Sequence, residues 1–258
     1  MNLSGLLTLS VVSHGHASLV EALVAQLDTL PSLNGVRLVV TLNVPGEPFI
    51  HEFDPLRRLR LVIIRNTTPL GFGANHNQAF MRCETPWFAI LNPDLAMPTD
   101  VFAPLIHIAA TERASLIAPR VVNSTGARED SVRWNLTPWS LLKRRLNSEG
   151  EDEVGDGKFR WFAGMFYIVE SASFRDIGGF DDRYFLYCED YDLCARMHLA
   201  RRTVRFSNEI QVVHDARRAS WKSRRYLVMH LRSLFRVWTS APVWRIALHD
   251  LFSSRRTR

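Results

Sequence analysis

Apolar runs alternate with segments of helical spacing along the first part of the chain. Continuous apolar runs predict strands at 6–13, 36–42, 59–64 and 87–91. Helical spacing predicts helices over 18–30 and from the glycine-containing loop 69–74 to about Cys83. Strands that alternate with helices at this spacing predict an α/β fold with a mainly parallel central sheet flanked by helices.

The second part of the chain is less regular. Residues 123–158 are polar and contain the acidic run 149–153, so they predict a long loop or lid. Further strands are predicted at 162–169, 203–206 and 211–213, and helices at 171–176 and 189–200.

Polar residues directly follow several predicted strands, among them His14, Asn43 and Asp94. Ligands of open α/β sheets bind beyond the carboxyl ends of the strands, so these residues are expected near one crevice. Asp94 ends the segment Leu91-Asn92-Pro93-Asp94, where a carboxylate can face a hard cation such as Mg²⁺ or Mn²⁺. One carboxylate fits a metal shared with a diphosphate, and an ordinary Asp turn is the alternative.

Three carboxylates lie within four positions at Glu189, Asp190 and Asp192, between aromatic residues. Like charges this close favour either a bound ligand or a general base with a shifted pKa. The alternative is a helix start, where the macrodipole favours negative charge. His214 follows a short predicted strand and suits a metal ligand, a phosphate donor or a structural residue.

Order and spacing of several short motifs are more specific than any one of them. They are Gly71-Phe72-Gly73 with Asn77, Leu91-Asn92-Pro93-Asp94, Gly178-Gly179-Phe180-Asp181, Glu189-Asp190 and, further on, His214 and Ser220. Together they resemble glycosyltransferase family 2, the inverting enzymes with the GT-A fold, and most closely its bacterial rhamnosyltransferase-type members. The resemblance covers residues 6–220.

The resemblance implies a role for each matching residue. Asp190 would be the catalytic base with Glu189 as its partner, and Asp94 and His214 would hold Mg²⁺ or Mn²⁺. Nucleotide-sugar binding falls to Ser13, Asn43, Gly71, Phe72, Asn77, Asn92 and Asp94, and acceptor binding to Trp161, Gly164 and Asp181. Two departures, Leu42 before Asn43 and Pro69 before Leu70-Gly71, lie in the nucleotide half and leave the base and sugar of the donor open.

The implied activity is transfer of a sugar, with rhamnose as a candidate, from a UDP- or dTDP-linked donor to a glycan or lipid-linked acceptor. This reaction belongs to bacterial surface polysaccharide synthesis. The expected domains are a catalytic domain at 1–220, with its nucleotide part at 1–100 and its acceptor part at 101–220, and a helical extension at 221–258.

Composition narrows the class of protein and its expected compartment. The 258 residues are 47% hydrophobic and 22% charged, which suits a globular protein and not a disordered one. No apolar run of a length that spans a bilayer occurs, and the N-terminus lacks the basic region of a signal peptide. Three cysteines without metal-ligand spacing indicate a reducing, cytoplasmic compartment.

Charge is concentrated at the C-terminal end. Residues 200–258 carry 14 basic and 3 acidic side chains, within a chain whose net charge is +6. Leu227, Leu231, Leu234, Phe235 and Trp238 share one helical face, with Arg225, Arg232 and Arg236 opposite. This pattern is typical of helices that lie on anionic membranes, so a peripheral position at the inner face of the cell membrane is expected.

Two alternatives remain open for this basic extension. Its helix could pack on the catalytic domain or on a second subunit of a homodimer. A non-catalytic protein could also use the arginines to bind nucleic acid or a membrane surface. Nucleic acid is not the expected partner, because that function leaves the acidic cluster at 189–192 unexplained.

Overall fold

The computed structural model describes residues 1–49, 57–146, 159–214 and 224–253. Its centre is an eight-stranded sheet with the strand order β3-β2-β1-β4-β9-β6-β10-β5. The first four strands of that order are parallel: β1 (Leu7–Ser13), β2 (Arg37–Leu42), β3 (Arg60–Arg65) and β4 (Trp87–Leu91). Each lies within one residue of the strand predicted from its apolar run.

The rest of the sheet is mixed. It contains β5 (Leu95–Ala96), β6 (Leu116–Val122), β9 (Phe166–Glu170) and β10 (Val204–His214). β9 runs antiparallel to both β4 and β6, while β10 is parallel to β6 and antiparallel to β5. The sheet is therefore mainly parallel, as expected, with an antiparallel strand inserted between its two halves.

Helices cover both faces of the sheet. They are α1 (Ala17–Asp28), α2 (Phe72–Phe80), α3 (Phe102–Thr111), α5 (Ser171–Asp176) and α6 (Glu189–Leu199). One apolar cluster packs α1 and α3 against one face of the strands, and a second packs α2, α5 and α6 against the other. These two layers fix the strand ends that carry the candidate site.

Three sequence predictions of secondary structure were wrong. The segment 123–158 contains β7 (Val132–Trp134) and α4 (Pro138–Leu146) within its described part, rather than a continuous loop. The run 162–169 is divided between β8 (Arg160–Phe162), which pairs with β7, and β9. The two short strands at 203–213 form the single strand β10, which has a register shift between Ser207 and Gln211.

The C-terminal extension forms two helices, α7 (Arg224–Thr239) and α8 (Ala241–Ser253). Val237, Val243 and Ile246 are buried in a third apolar cluster together with residues of α6 and β8. The alternative that the sequence left open, packing of this extension on the catalytic part, therefore occurs. In the described part of the chain, no helix has both the length and the apolarity to cross a bilayer.

Packing does not cover the whole apolar face predicted for α7. Leu227, Leu231 and Phe235 remain 57%, 57% and 66% exposed. Trp238, by contrast, is half-buried, and its indole N–H donates to the Leu136 carbonyl at 2.9 Å. Further large apolar side chains are exposed on the neighbouring helices, at Trp139 and Leu142 of α4 and at Trp244 and Leu248 of α8.

Candidate active site

The carboxyl ends of the parallel strands meet at one edge of the sheet and carry polar residues there. Ser13 ends β1, Asn43 follows β2 and Asn66 follows β3. Asn92 and Asp94 follow β4. Because parallel strands all point the same way, these side chains gather at the crevice that the sequence predicts.

Three buried asparagines support the loop that precedes α2. Asn43 Nδ2 donates to the Leu70 carbonyl at 2.9 Å, while Asn43 Oδ1 accepts from Leu70 N and from Asn66 Nδ2, both at 2.8 Å. Asn66 also donates to Asn75 Oδ1 at 2.7 Å. Asn43, expected at the nucleotide pocket, is only 2% exposed, and its amide is already engaged within the protein. Asn66 and Asn75 were missed, although Asn66 follows its strand as Asn43 does.

Glu47 is a second polar residue that the sequence analysis did not assign to the site. The Ser13 hydroxyl donates to Glu47 Oε1, and Ser13 Oγ accepts from His16 N at 3.1 Å. Glu47 Oε2 is buried and has no hydrogen-bond partner among the described residues. A buried carboxylate oxygen without a donor is costly in an empty pocket and is suited to accept a hydrogen bond from a ligand.

Gly71 and Phe72 connect the donor side to the loop before α6. Phe72 N donates to the Phe185 carbonyl at 2.9 Å. A Cβ atom on Gly71 would lie 2.7–2.9 Å from backbone atoms of Tyr184 and Phe185, closer than such contacts allow. The glycine at 71 is therefore required by the close approach of this loop. The first N–H of α2 is already used, which argues against a phosphate cradle at that N–H.

Asp94 and His214 face each other at the sheet edge. His214 Nε2 lies 3.1 Å from Asp94 Oδ1, because β5 and β10 pair in antiparallel register at Leu95 and His214. His214 Nδ1 is buried without a hydrogen-bond partner among the described residues. The described part of the chain holds no group of three or more His, Cys, Asp or Glu side chains that could bind a metal. Two protein ligands, Asp94 and His214, fit a divalent cation that takes its other ligands from a diphosphate and water.

Glu189 and Asp190 open α6 after a strained turn. Tyr187 and Cys188 have φ values of 72° and 66°, a left-handed conformation that non-glycine residues seldom adopt. Asp190 is half-buried, and its carboxylate accepts from Tyr191 N at 2.8 Å and from Gly164 N at 3.1 Å. These two donors hold the carboxylate in one orientation.

Burial raises the pKa of both acids of this pair. For Glu189, which is 5% exposed, the pKa is raised well above its usual value, first by burial and then by the charge of Asp190. For Asp190, burial also raises the pKa, but the charge of Arg133 and the two backbone donors oppose the shift. Asp190 is therefore the member that ionises more readily, and its ionised form is a stronger base than an ordinary aspartate.

The turn between β8 and β9 joins the two acidic centres. Asn92 N donates to the Met165 carbonyl at 2.9 Å, and Gly164 N donates to Asp190. Met165, at the end of the turn, is thus bonded to Asn92, two residues before Asp94. Gly164, in the middle of the turn, is bonded to Asp190. The sequence analysis placed a continuous strand here and did not predict this connection.

Asn77 and Asp181 have structural contacts in the 178–183 turn. Asn77 Nδ2 donates to the Phe180 carbonyl at 2.8 Å, and Asn77 Oδ1 accepts from Phe180 N at 2.9 Å. The Arg183 side chain donates to the Asp181 carboxylate from Nε at 2.8 Å and from Nη2 at 2.6 Å. The bond from Arg183 is the main cause that lowers the Asp181 pKa. Hydrogen bonds within the protein therefore already occupy polar atoms of both residues.

Trp161 is 3% exposed, so the expected acceptor platform has no open aromatic face at this position. Its indole N–H donates to the Trp134 carbonyl at 2.7 Å, and its ring packs edge-on against Tyr191. The Arg133 guanidinium lies over the Trp161 ring, 5.1 Å from the ring centre. Arg133 itself was missed, because an arginine after a polar loop carries no distinctive sequence signal.

Comparison with known proteins identifies the class. Residues 49–170 match the family model "Glycosyl transferase family 2". The mannosyltransferase PcManGT from Pyrobaculum calidifontis, solved with GDP-Man and Mn²⁺, superposes with a TM-score of 0.59 at 17% identity, over 94% of this chain and 68% of that one. Residues 49–170 are therefore similar to glycosyltransferase family 2, and the fold of the chain is of the GT-A type.

Two of the curated proteins that the chain resembles are rhamnosyltransferases. Rhamnosyltransferase WbbL of Escherichia coli K12 is 27% identical over 185 residues, 64% of this chain and 69% of that protein. N-acetylglucosaminyl-diphospho-decaprenol L-rhamnosyltransferase of Mycobacterium tuberculosis is 26% identical over 58% of this chain. The match spans 53% of the mycobacterial protein's length.

Proposed function

We propose that the protein is an inverting glycosyltransferase that moves a sugar from a nucleoside-diphosphate donor to a glycan or lipid-linked acceptor. The observation that carries this proposal is the 163–165 turn, which binds the Asn92 backbone at one end and the Asp190 carboxylate at its middle. It brings the candidate diphosphate site and the candidate base to one crevice. Rhamnose is the favoured sugar, since two of the curated relatives carry rhamnosyltransferase in their names.

Asp94 and His214 would hold Mg²⁺ or Mn²⁺ on the donor side. Such an ion, when bound, supplies Lewis-acid stabilisation of the negative charge on the leaving diphosphate. Asp94 contributes the hard oxygen ligand, and His214 keeps its carboxylate oriented through the 3.1 Å contact. The solved mannosyltransferase with the same fold was obtained with Mn²⁺ and a nucleotide sugar, which supports this assignment.

The donor base would lie beside Ser13 and Glu47. Glu47 Oε2 is a buried acceptor atom without a partner among the described residues, so it is suited to accept from a base N–H. Uracil and thymine both offer such an N–H, which agrees with a UDP- or dTDP-linked donor. Asn43 would support the nucleotide pocket indirectly, because its amide group holds the Leu70 backbone in place.

Asp190 would act as the general base. Its carboxylate takes the proton of the acceptor hydroxyl while that oxygen bonds to the anomeric carbon. The bond from this carbon to the diphosphate breaks in the same step, and its electron pair leaves with the diphosphate. Attack from the opposite face inverts the configuration. Glu189 is more deeply buried, and burial together with the charge of Asp190 raises its pKa well above the usual value, which disfavours a second charge beside the base.

A membrane-bound acceptor would explain the exposed apolar side chains of α4, α7 and α8. Their helices surround the third apolar cluster, which also contains Tyr191 of α6. An interfacial position at the inner face of the membrane would bring a lipid-linked acceptor to the site. We propose residues 221–258 as this anchoring extension of the catalytic domain.

Donor turnover tests the proposal directly. Purified protein is incubated with UDP-, dTDP- or GDP-linked sugars and a bacterial lipid extract, and release of free nucleoside diphosphate is measured. One donor should turn over, and Asp190→Asn should slow it about 10²–10⁴-fold, the usual contribution of a general base. Equal rates in Asp190→Asn would refute the base assignment. Binding of nucleic acid without any turnover would favour the non-catalytic anion-binding protein instead.

A further inference from the structure

An open groove lies between α7 and the loop that precedes the acidic pair. Its volume is about 410 Å³, which lies in the range of about 300–1,000 Å³ typical of small-molecule sites. The loop contributes Arg183, Phe185 and Leu186, and α7 contributes Met229, Arg232, Ser233 and Arg236. The four α7 residues are spaced by three or four positions, so they lie on one helical face.

Two of the three arginines of this groove have no acidic partner among the described residues. Within the described ranges, Arg232 and Arg236 form no ion pair, and Arg236 instead covers the Tyr184 ring at 5.8 Å. Arg183 is held by Asp181 through Nε and Nη2, so its position is fixed while the rest of its guanidinium stays open. Three guanidinium groups around one cavity favour a phosphate, which they can bind with several charge-assisted hydrogen bonds.

Direct contacts join α7 to the loop 184–188, which leads into α6 and is called the catalytic loop below. Ser233 Oγ donates to the Leu186 carbonyl at 2.8 Å, and the His230 ring lies 5.0 Å from the Tyr187 ring. His230 also interacts electrostatically with Asp190. A molecule in the groove therefore lies beside the loop that leads into α6, the helix on which the proposed base lies.

The neighbouring face of α7 is apolar and exposed. It consists of Leu227, Val228, Leu231 and Phe235, of which Val228 is 45% exposed and the others more. Arg232 lies between this face and the groove. A basic cavity bordered by an apolar helix face matches a molecule that has a phosphate on a hydrocarbon chain.

We propose that this groove binds the phosphate group of the lipid-linked acceptor, whose hydrocarbon chain lies along the exposed apolar face of α7. The inference rests on the proposed function and adds to it the residues that select the acceptor. Asp181 then acts as a positioning residue, because it holds Arg183 at the groove. A sugar attached to this phosphate would extend toward Asp190 past Phe185 and Leu186.

Vesicle binding tests the groove without knowledge of the acceptor sugar. Phosphatidylcholine vesicles are prepared with phosphatidic acid, a lipid with a terminal phosphate, or with phosphatidylserine at the same surface charge. The protein should bind the phosphatidic acid vesicles more tightly. Arg232→Gln should weaken this binding about tenfold, since a hydrogen bond to a charged group contributes about that factor. Arg232→Gln together with Arg236→Gln should abolish the preference.

Arg245→Gln is the matched control, because it removes one positive charge from the same extension outside the groove. It should leave the preference for phosphatidic acid unchanged. Equal binding of both vesicle types by the wild type, or an unchanged preference in Arg232→Gln, would overturn the proposal. Inhibition by inorganic diphosphate at the concentration of the lipid would also overturn it, because the groove would then serve a soluble anion.

Nucleotide titration of the same variants separates this inference from the proposed function. UDP or dTDP binding should be unchanged in Arg232→Gln, because this side chain is exposed and lines the groove between α7 and the loop before α6. If the wild type binds no nucleotide, the proposed function fails while the lipid preference is still measurable. If nucleotides bind and the lipid preference is absent, only the groove assignment fails.

Discussion

Among single residues, Glu189 and Asp190 are adjacent and chemically similar, yet they differ in burial and in hydrogen bonding. Glu189 is almost completely buried, and one of its oxygens has no hydrogen-bond partner among the described residues. Asp190 is half-buried and accepts two backbone N–H groups. The sequence predicted the pair and the competing role of a helix start. The Asp190 orientation could not be predicted, because it depends on Gly164, distant in sequence.

The pH dependence of activity should report the charge of Arg133. Burial raises the Asp190 pKa and Arg133 lowers it, so Arg133→Gln should raise it further. Since the base must be ionised, the acid limb of kcat/KM should move to higher pH in this variant. Arg160→Gln, on the paired strand β8, is the control and should not move it. An unmoved limb in Arg133→Gln would contradict the proposed role of Asp190.

At the scale of elements, the glycine at 71 connects α2 to the catalytic loop. Gly71→Ala would place a methyl group 2.7 Å from the Phe185 carbonyl oxygen, which is backbone and cannot rotate away. We expect a loss of about 1–3 kcal/mol in the free energy of unfolding, with activity reduced because the 184–188 loop moves. Gly5→Ala, with nothing within 4 Å of its Cβ position, is the control in thermal unfolding and turnover. Equal stability of the two variants would contradict this packing.

The parallel half of the sheet was predictable because each buried strand is a continuous apolar run bounded by polar residues. The region 95–122 carried no predicted element, yet it contains β5, α3 and β6. Pro104 and Pro119 weaken both patterns there. Pro104 lies in the first turn of α3, where no N–H is needed, and Pro119 pairs with Ser207 beside the register shift.

The candidate site was predictable to the extent that motifs follow strand ends or open helices. Asp94, Asp190 and His214 carry such signals, and the structure brings Asp94 and His214 together. Trp161 and Asn43 could not be interpreted from sequence, because burial and existing hydrogen bonds decide what they can contact. Glu47, Arg133 and the α7 groove depend on contacts between distant segments.

At the scale of the whole molecule, the C-terminal helices combine two roles that the sequence left as alternatives. Val237, Val243 and Ile246 pack on the catalytic part, while the opposite apolar residues of α7 remain exposed. We expect Leu231→Ser with Phe235→Ser to weaken binding to anionic vesicles at least tenfold, because burial of one such side chain contributes about 1.5–3 kcal/mol. The fold should remain intact, since both side chains are more than half exposed.

Met81→Ser is the control for this experiment, because Met81 is 82% exposed at the end of α2. Its vesicle binding in a flotation assay should equal that of the wild type. Unchanged binding in the Leu231 and Phe235 variant would contradict the anchoring role. A change in the oligomeric state of that variant would instead assign the exposed face to a homodimer.

The central claim is a metal-bridged diphosphate site at the sheet edge, and calorimetric titration tests it most directly. UDP, dTDP and GDP are titrated into the wild type, Asp94→Asn and Asp190→Asn, with and without Mn²⁺. We expect one nucleotide to bind the wild type only when metal is present. Asp94→Asn should abolish this binding, and Asp190→Asn should retain it. Metal-independent binding in every variant, or no binding at all, would contradict the account.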